Sequence, residues 1–268
     1  MTIDQEQKPS ILTRDDGATI AYRRRTGRGP GVVFLGGFMS DMTGTKARAL
    51  DAFCAARGQA YLRFDYFGHG ASSGEFAEAT VGRWTADTLA ALDALTAGPQ
   101  VLVGSSMGGW IMLLAALARP DRIHAVVGIA AAPDATEALI WRRFPPPLRA
   151  AILAQGAVRV PSAYAPEGYL ITRRLIEDGR RHLVMDRPLA LACPVRLLHG
   201  MQDPDVPWQT GLALVEHLAG TDVQLVLVKD GDHRLSRDGD LALLLRTLEP
   251  LLDEGGHGTA ASARSPSR

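Results

Sequence analysis

Two kinds of apolar pattern alternate along the chain. Short, mostly apolar runs occur at residues 31–35, 60–66, 101–103, 123–131, 193–200 and 223–228. They are too short for helices and read as strands buried on both faces. Between them, residues 45–56, 81–96, 110–117, 208–218 and 241–252 carry apolar side chains at helical spacing. Strand and helix in turn, at short spacing, predict an α/β fold: a mostly parallel sheet covered by helices on both faces. Ahead of this alternation, residues 11–16 and 18–25 predict a hairpin turning at Asp16-Gly17, and the pattern breaks at residues 27–30.

The rhythm also fails between residues 133 and 188. No strong strand stands out there, Pro145-Pro146-Pro147 cannot lie inside a helix, and Trp141, Phe144, Tyr164 and Tyr169 are scattered among arginines. An insertion of this length between strands of an α/β sheet reads as a lid over the active site. The expected organisation is a core in two parts, residues 1–132 and 191–254, with a helical lid at 133–190. A Gly/Ala/Ser-rich tail at 255–268 is expected to be disordered. The lid segment holds nine arginines against six carboxylates, a local net charge of +3, which raises the expectation of an anionic substrate.

Composition narrows the function classes. Of the 268 residues 46% are hydrophobic and 22% charged, as in an ordinary globular enzyme. Lys plus Arg and Asp plus Glu balance at 29 each, so no global field draws the chain to nucleic acid or a membrane surface. Cys54 and Cys193 form neither a metal-ligand spacing nor a disulfide framework. No apolar run approaches the ~18 residues that span a bilayer, and the polar opening residues are no secretory signal. These features read as a cytoplasmic protein.

The chemistry is carried by Gly104-Ser105-Ser106-Met107-Gly108. It matches G-x-S-x-G, the tight strand-to-helix turn that lifts a nucleophilic serine above a sheet. Glycines two residues either side permit the strained backbone such a turn requires. Two further loops leave the ends of expected parallel strands, one carrying Asp203 and the other His233. Ligands bind at that edge of an open α/β sheet. A serine needs a base to remove its proton, a histidine can do so near neutral pH, and an acid fixes the histidine's tautomer. Asp205 is a second candidate for the acid, whereas Asp232, beside His233, is expected to point elsewhere. His69, in a glycine-rich loop, is a candidate for the pocket wall, and His199 for a buried hydrogen bond. No histidine pair has a metal-binding spacing, and no cofactor is called for. The oxyanion hole is expected from the N–H groups of Met107 and Phe38. Gly37, Met39, Trp141 and Tyr164 are expected to contact substrate.

These residues together resemble the α/β-hydrolases. More closely, residues 36–47, 63–66, 103–110, 193–201, 206–208 and 232–234 resemble the family of mitochondrial acyl-protein thioesterases, or depalmitoylases, that also cleave acyl-glucuronides. The resemblance runs from about residue 31 to 245 and is weakest in the lid. It implies the α/β-hydrolase fold and places Ser106, Asp203 and His233 on the family's triad. It also implies thioesters or esters, as small molecules or S-acylated proteins, for substrates. Gly36 departs from the histidine that many α/β-hydrolases carry there, and no mitochondrial presequence is evident. A general carboxylesterase or lipase, and a ligand-binding receptor that keeps the triad, are the competing readings.

Overall fold

The structure, a computed structural model, describes residues 8–162 and 166–253. The tail 255–268, expected to be disordered, lies outside the described residues. An eight-stranded sheet organises the rest, in the order β1-β2-β4-β3-β5-β6-β9-β10. Its members are β1 (Ser10–Thr13), β2 (Thr19–Arg25), β3 (Arg28–Leu35), β4 (Gln59–Phe64), β5 (Gln100–Ser105), β6 (Ile123–Ile129), β9 (Val195–Gly200) and β10 (Val223–Val228). The first two strands run antiparallel to their neighbours, and β4, β3, β5, β6, β9 and β10 are mutually parallel. The break at residues 27–30 is a register shift within β3, between Arg28 and Val32, rather than the end of a strand.

Period-two alternation sends each parallel strand's side chains to two separate cores. Val33 and Leu35 of β3, Leu102 of β5 and Leu197 of β9 join one core. That core includes Trp84 and Leu92 of α2 (Val81–Leu95) and Trp110 and Leu113 of α3 (Met107–Ala118). Val32, Phe34, Val101, Val103 and Leu198 join the other, beneath Leu50 of α1 (Thr45–Arg57) and Leu248 of α7 (Asp238–Asp253). Burial on both faces is why these strands read as continuous apolar runs.

The insertion is less helical than its sequence suggests. A single π-helical turn (Thr136–Trp141) leads to α4 (Pro146–Gln155), then a two-stranded antiparallel ribbon, β7 (Ala157–Val160) with β8 (Tyr169–Thr172), then α5 (Arg173–Gly179). The prolines start α4 rather than interrupt it, since a first-turn residue needs no N–H partner. Ile152, Ile171 and Ile176 form a small core of their own. This segment is tied to α2 and α3 by two hydrogen bonds: the Gly82 N–H donates to Asp178 at 2.7 Å, and Trp110 Nε1 to the His182 carbonyl at 3.0 Å. Helix α6 (Gln209–His217) lies between β9 and β10 in sequence.

Candidate active site

Ser106 ends β5 and begins α3 with φ 55° and ψ −118°, a conformation costly for any residue with a Cβ. The surroundings hold it there. Its N–H donates to the Ile129 carbonyl at 2.9 Å, and its own carbonyl accepts from Gly109 and Ala132 at 2.9 and 3.1 Å. A Cβ on Gly108 would collide with the Leu35 carbonyl, and one on Gly104 with the Gly108 carbonyl. The turn can be this tight only with glycine at both positions.

From that turn a continuous hydrogen-bonded chain runs through three loops. His233 Nε2 lies 3.0 Å from Ser106 Oγ, and His233 Nδ1 lies 2.7 Å from Asp203 Oδ2. The Asp203 side chain is fully buried, and its Oδ1 accepts the Asp205 and Val206 N–H groups at 2.8 and 2.9 Å. His199 Nε2 stands 3.5 Å from Asp203 Oδ2 while donating to the Val206 carbonyl at 3.0 Å. Burial pushes the Asp203 carboxyl up, yet the bonds from His199, His233 and the Val206 N–H outweigh it and hold it well below the usual range. A carboxylate fixed in its charged form accepts the Nδ1 proton of His233, leaving Nε2 free to take the serine proton. Asp205 thus meets Asp203 through its backbone N–H, and Asp232 accepts the Leu235 N–H at 2.9 Å.

The His233 loop is pinned from across the site. Lys46 Nζ donates to the Arg234 carbonyl at 2.5 Å and lies 3.2 Å from Ser236 Oγ; burial pushes its amine down to about 8. Asp203, Asp205 and His233 are also the group among the described residues whose ligand atoms fall within 4.8 Å of one another. Both Asp203 oxygens already accept N–H donors, so a cation there would displace His233.

A cavity of about 870 Å³ opens over Ser106 and His233. Gly37 and Met39 line it, as do Phe38 and Met107. A Cβ placed on Gly37 would stand 3.5 Å from Ser106 Cβ, so the loop after β3 packs directly on the serine. The structure does not bring Trp141 into that wall. Its ring lies under the Arg149 and Arg180 guanidinium groups, at 5.7 and 4.9 Å, because arginines stack on an aromatic face. Tyr164 lies outside the described residues. The walls instead draw on Trp84, Trp110, Ile140, Phe144, Tyr169 and Ile171, of which Trp84 and Trp110 are buried positions of α2 and α3. His69 does not line the cavity either; it sits against the loop after β3, 4% exposed, with its imidazole pushed down to about 4 by burial.

The sheet, the turn at Ser106 and the loops above it have their counterpart in known proteins. Residues 32–264 match the alpha/beta hydrolase family, and the chain belongs to that family and is a hydrolase. It is 43% identical over 246 residues to the mitochondrial palmitoyl-protein thioesterase ABHD10 of Bos taurus, covering 91% of this chain and 80% of that one. To the human protein of the same name it is 41% identical over 251 residues, with 93% and 82% covered. Among solved structures it is similar to a putative hydrolase from Agrobacterium vitis S4, at TM-score 0.88 and 42% identity, covering 91% of this chain and 98% of that one. The relatives' names overturn the cytoplasmic reading, since they are mitochondrial proteins. No helix of the described residues is long and apolar enough to cross a membrane.

Proposed function

We propose that this hydrolase cleaves acyl thioesters and esters through an acyl-enzyme on Ser106, with His233 as base and acid and Asp203 as the acid that orients it. The observation that carries this reading is the unbroken chain from Ser106 Oγ through His233 to Asp203, opening into a largely apolar cavity. Ser106 Oγ attacks the acyl carbonyl as its proton passes to His233 Nε2. The N–H groups of Met107 and Phe38 donate to the carbonyl oxygen as negative charge develops on it. Collapse expels the thiol or alcohol with a proton from His233. Water, deprotonated by the same nitrogen, then releases the carboxylic acid.

The acyl chain fits the apolar walls built by α2, α3 and the 133–190 insertion, which we read as a lid over the core parts 1–132 and 191–254. Gly37 and Met39 border the reacting carbonyl. The relatives' thioesterase names favour S-acylated protein or small-molecule thioesters as substrates. The arginine excess of the lid does not argue for an anionic one. Arg142 and Arg180 pair with Glu137, Arg173 with Glu177 and Arg181 with Asp178. Among the described residues of that segment, Arg143 is the one arginine in the cavity wall.

Matched long-chain acyl thioesters and oxygen esters distinguish this reading from a general carboxylesterase. The expected result is a higher kcat/KM for the thioester, with acyl-enzyme visible by mass spectrometry early in turnover. Equal or lower rates for thioesters would remove the thioesterase half of the reading. Stoichiometric acylation without turnover would favour a receptor.

A further inference from the structure

The loop between β3 and α1 has a backbone that needs support. The Ser40 N–H donates to the Gly37 carbonyl at 3.1 Å, and Met39, third of those four residues, has φ 54°. Phe38 is not among the residues with positive φ. A turn closed in this way with positive φ at its third position is type II, which glycine normally serves. In it the Phe38–Met39 peptide is turned over relative to a type I turn. The flipped peptide is the one that carries the Met39 N–H, while the Phe38 N–H belongs to the peptide before it, at the second position of the same turn.

The group that receives the Met39 N–H is His69 Nε2, at 3.1 Å. A nitrogen that accepts carries no proton, so the ring proton must sit on Nδ1. Nδ1 lies 3.2 Å from the Phe67 carbonyl, which can only accept. The two contacts therefore demand one tautomer, neutral with Nδ1–H. His69 is enclosed by the rings of Phe76, Trp84 and Tyr66 at 5.2, 5.4 and 5.7 Å, where water cannot substitute for it. The far end of the same loop is held by the same segment, since Asp65 accepts the Met42 and Ala71 N–H groups at 2.6 and 2.8 Å.

We propose that His69 is a positioning residue for the oxyanion hole: by accepting the Met39 N–H it holds the turn at residues 37–40 in place, and with it the Phe38 N–H that the reading above assigns to the carbonyl oxygen attacked by Ser106. This rests on the serine-hydrolase reading above. His69 touches no reacting atom and acts through the turn it holds.

The test compares wild type, His69→Gln and His69→Leu. A glutamine oxygen reaches the place of Nε2 and can accept the Met39 N–H; leucine cannot. Loss of one oxyanion donor costs on the order of 10² to 10³ in kcat. His69→Leu should lose that much in kcat and in the rate of Ser106 phosphonylation by a fluorophosphonate, with KM changed far less. His69→Gln should recover most of both rates. Long-range 1H–15N spectra of wild type, readable even if His69→Leu fails to fold, should show Nδ1 protonated and Nε2 bare. An Nε2–H tautomer, or Leu and Gln variants equally active or equally impaired, would overturn the inference while wild-type labelling at Ser106 left the hydrolase reading intact. Absence of labelling in wild type would remove both.

Discussion

Single side chains decide the chemistry here, and Asp203 shows how. One oxygen is fixed by two backbone N–H groups and the other faces two histidines. Removing its charge by Asp203→Asn should leave the fold standing and lower kcat by a factor on the order of 10⁴, as expected when the histidine loses its orienting acid. Asp205→Asn should stay close to wild type, because Asp205 supplies Asp203 with a backbone N–H that survives the change; steady-state rates of the two variants decide it. His69 offers a second check at this scale. Its imidazole has an ordinary value of 6.5 and is pushed down to about 4 in the folded protein. Between those values the unfolded chain binds a proton that the native state excludes, so stability falls as pH drops through that window and is fully present above it. The drop in denaturation midpoint from pH 7 to pH 4.5 should be larger for wild type than for His69→Gln, and equal drops would contradict it. Ser106, Asp203 and His233 were legible in the sequence because each follows an apolar strand and their chemical types complement one another. The part played by His69 was not, because its partner is a backbone N–H thirty residues away, which no side-chain pattern records. Trp141 misled for the opposite reason: an aromatic among arginines resembles a pocket wall, and here the arginines cover it.

At the scale of elements, strands β3, β4, β5, β6 and β9 announced themselves because both faces of each are buried, helices α1, α2 and α7 because one face is, and α3 because it is buried nearly all round. The ribbon of β7 and β8 did not, since two four-residue strands carry too few positions to establish a period of two. Its support comes from α4 and α5, a tertiary effect absent from local sequence. The anchoring of this insertion turns on Asp178. Burial alone would raise its carboxyl, but the Gly82 N–H and Arg181 outweigh that and keep it charged. Asp178→Ala removes the acceptor for the first turn of α2. Limited trypsin digestion should then cut within residues 133–190 faster than in wild type, and KM should rise while Ser106 still labels. An unchanged digestion pattern would show that the anchor lies elsewhere.

For the whole molecule, two cores on opposite faces of one sheet separate stability from chemistry. Leu50 is fully buried on the inner face of α1, in the core that α2 and α3 do not share. Leu50→Ala should cost about 2–5 kcal/mol in chemical denaturation and leave the Ser106 labelling rate unchanged; a matching loss of reactivity would mean that the faces are coupled. The fold and the meeting of Ser106, His233 and Asp203 were both readable from alternation and loop chemistry, whereas compartment was not. The account as a whole stands on Ser106. Intact-mass measurement after treatment with a fluorophosphonate should show one adduct in wild type, mapped to Ser106 by digestion, and none in Ser106→Ala, whose turnover should be lower by a factor on the order of 10⁴ to 10⁶. An unlabelled wild type, or a Ser106→Ala variant that still labels and turns over, would contradict it.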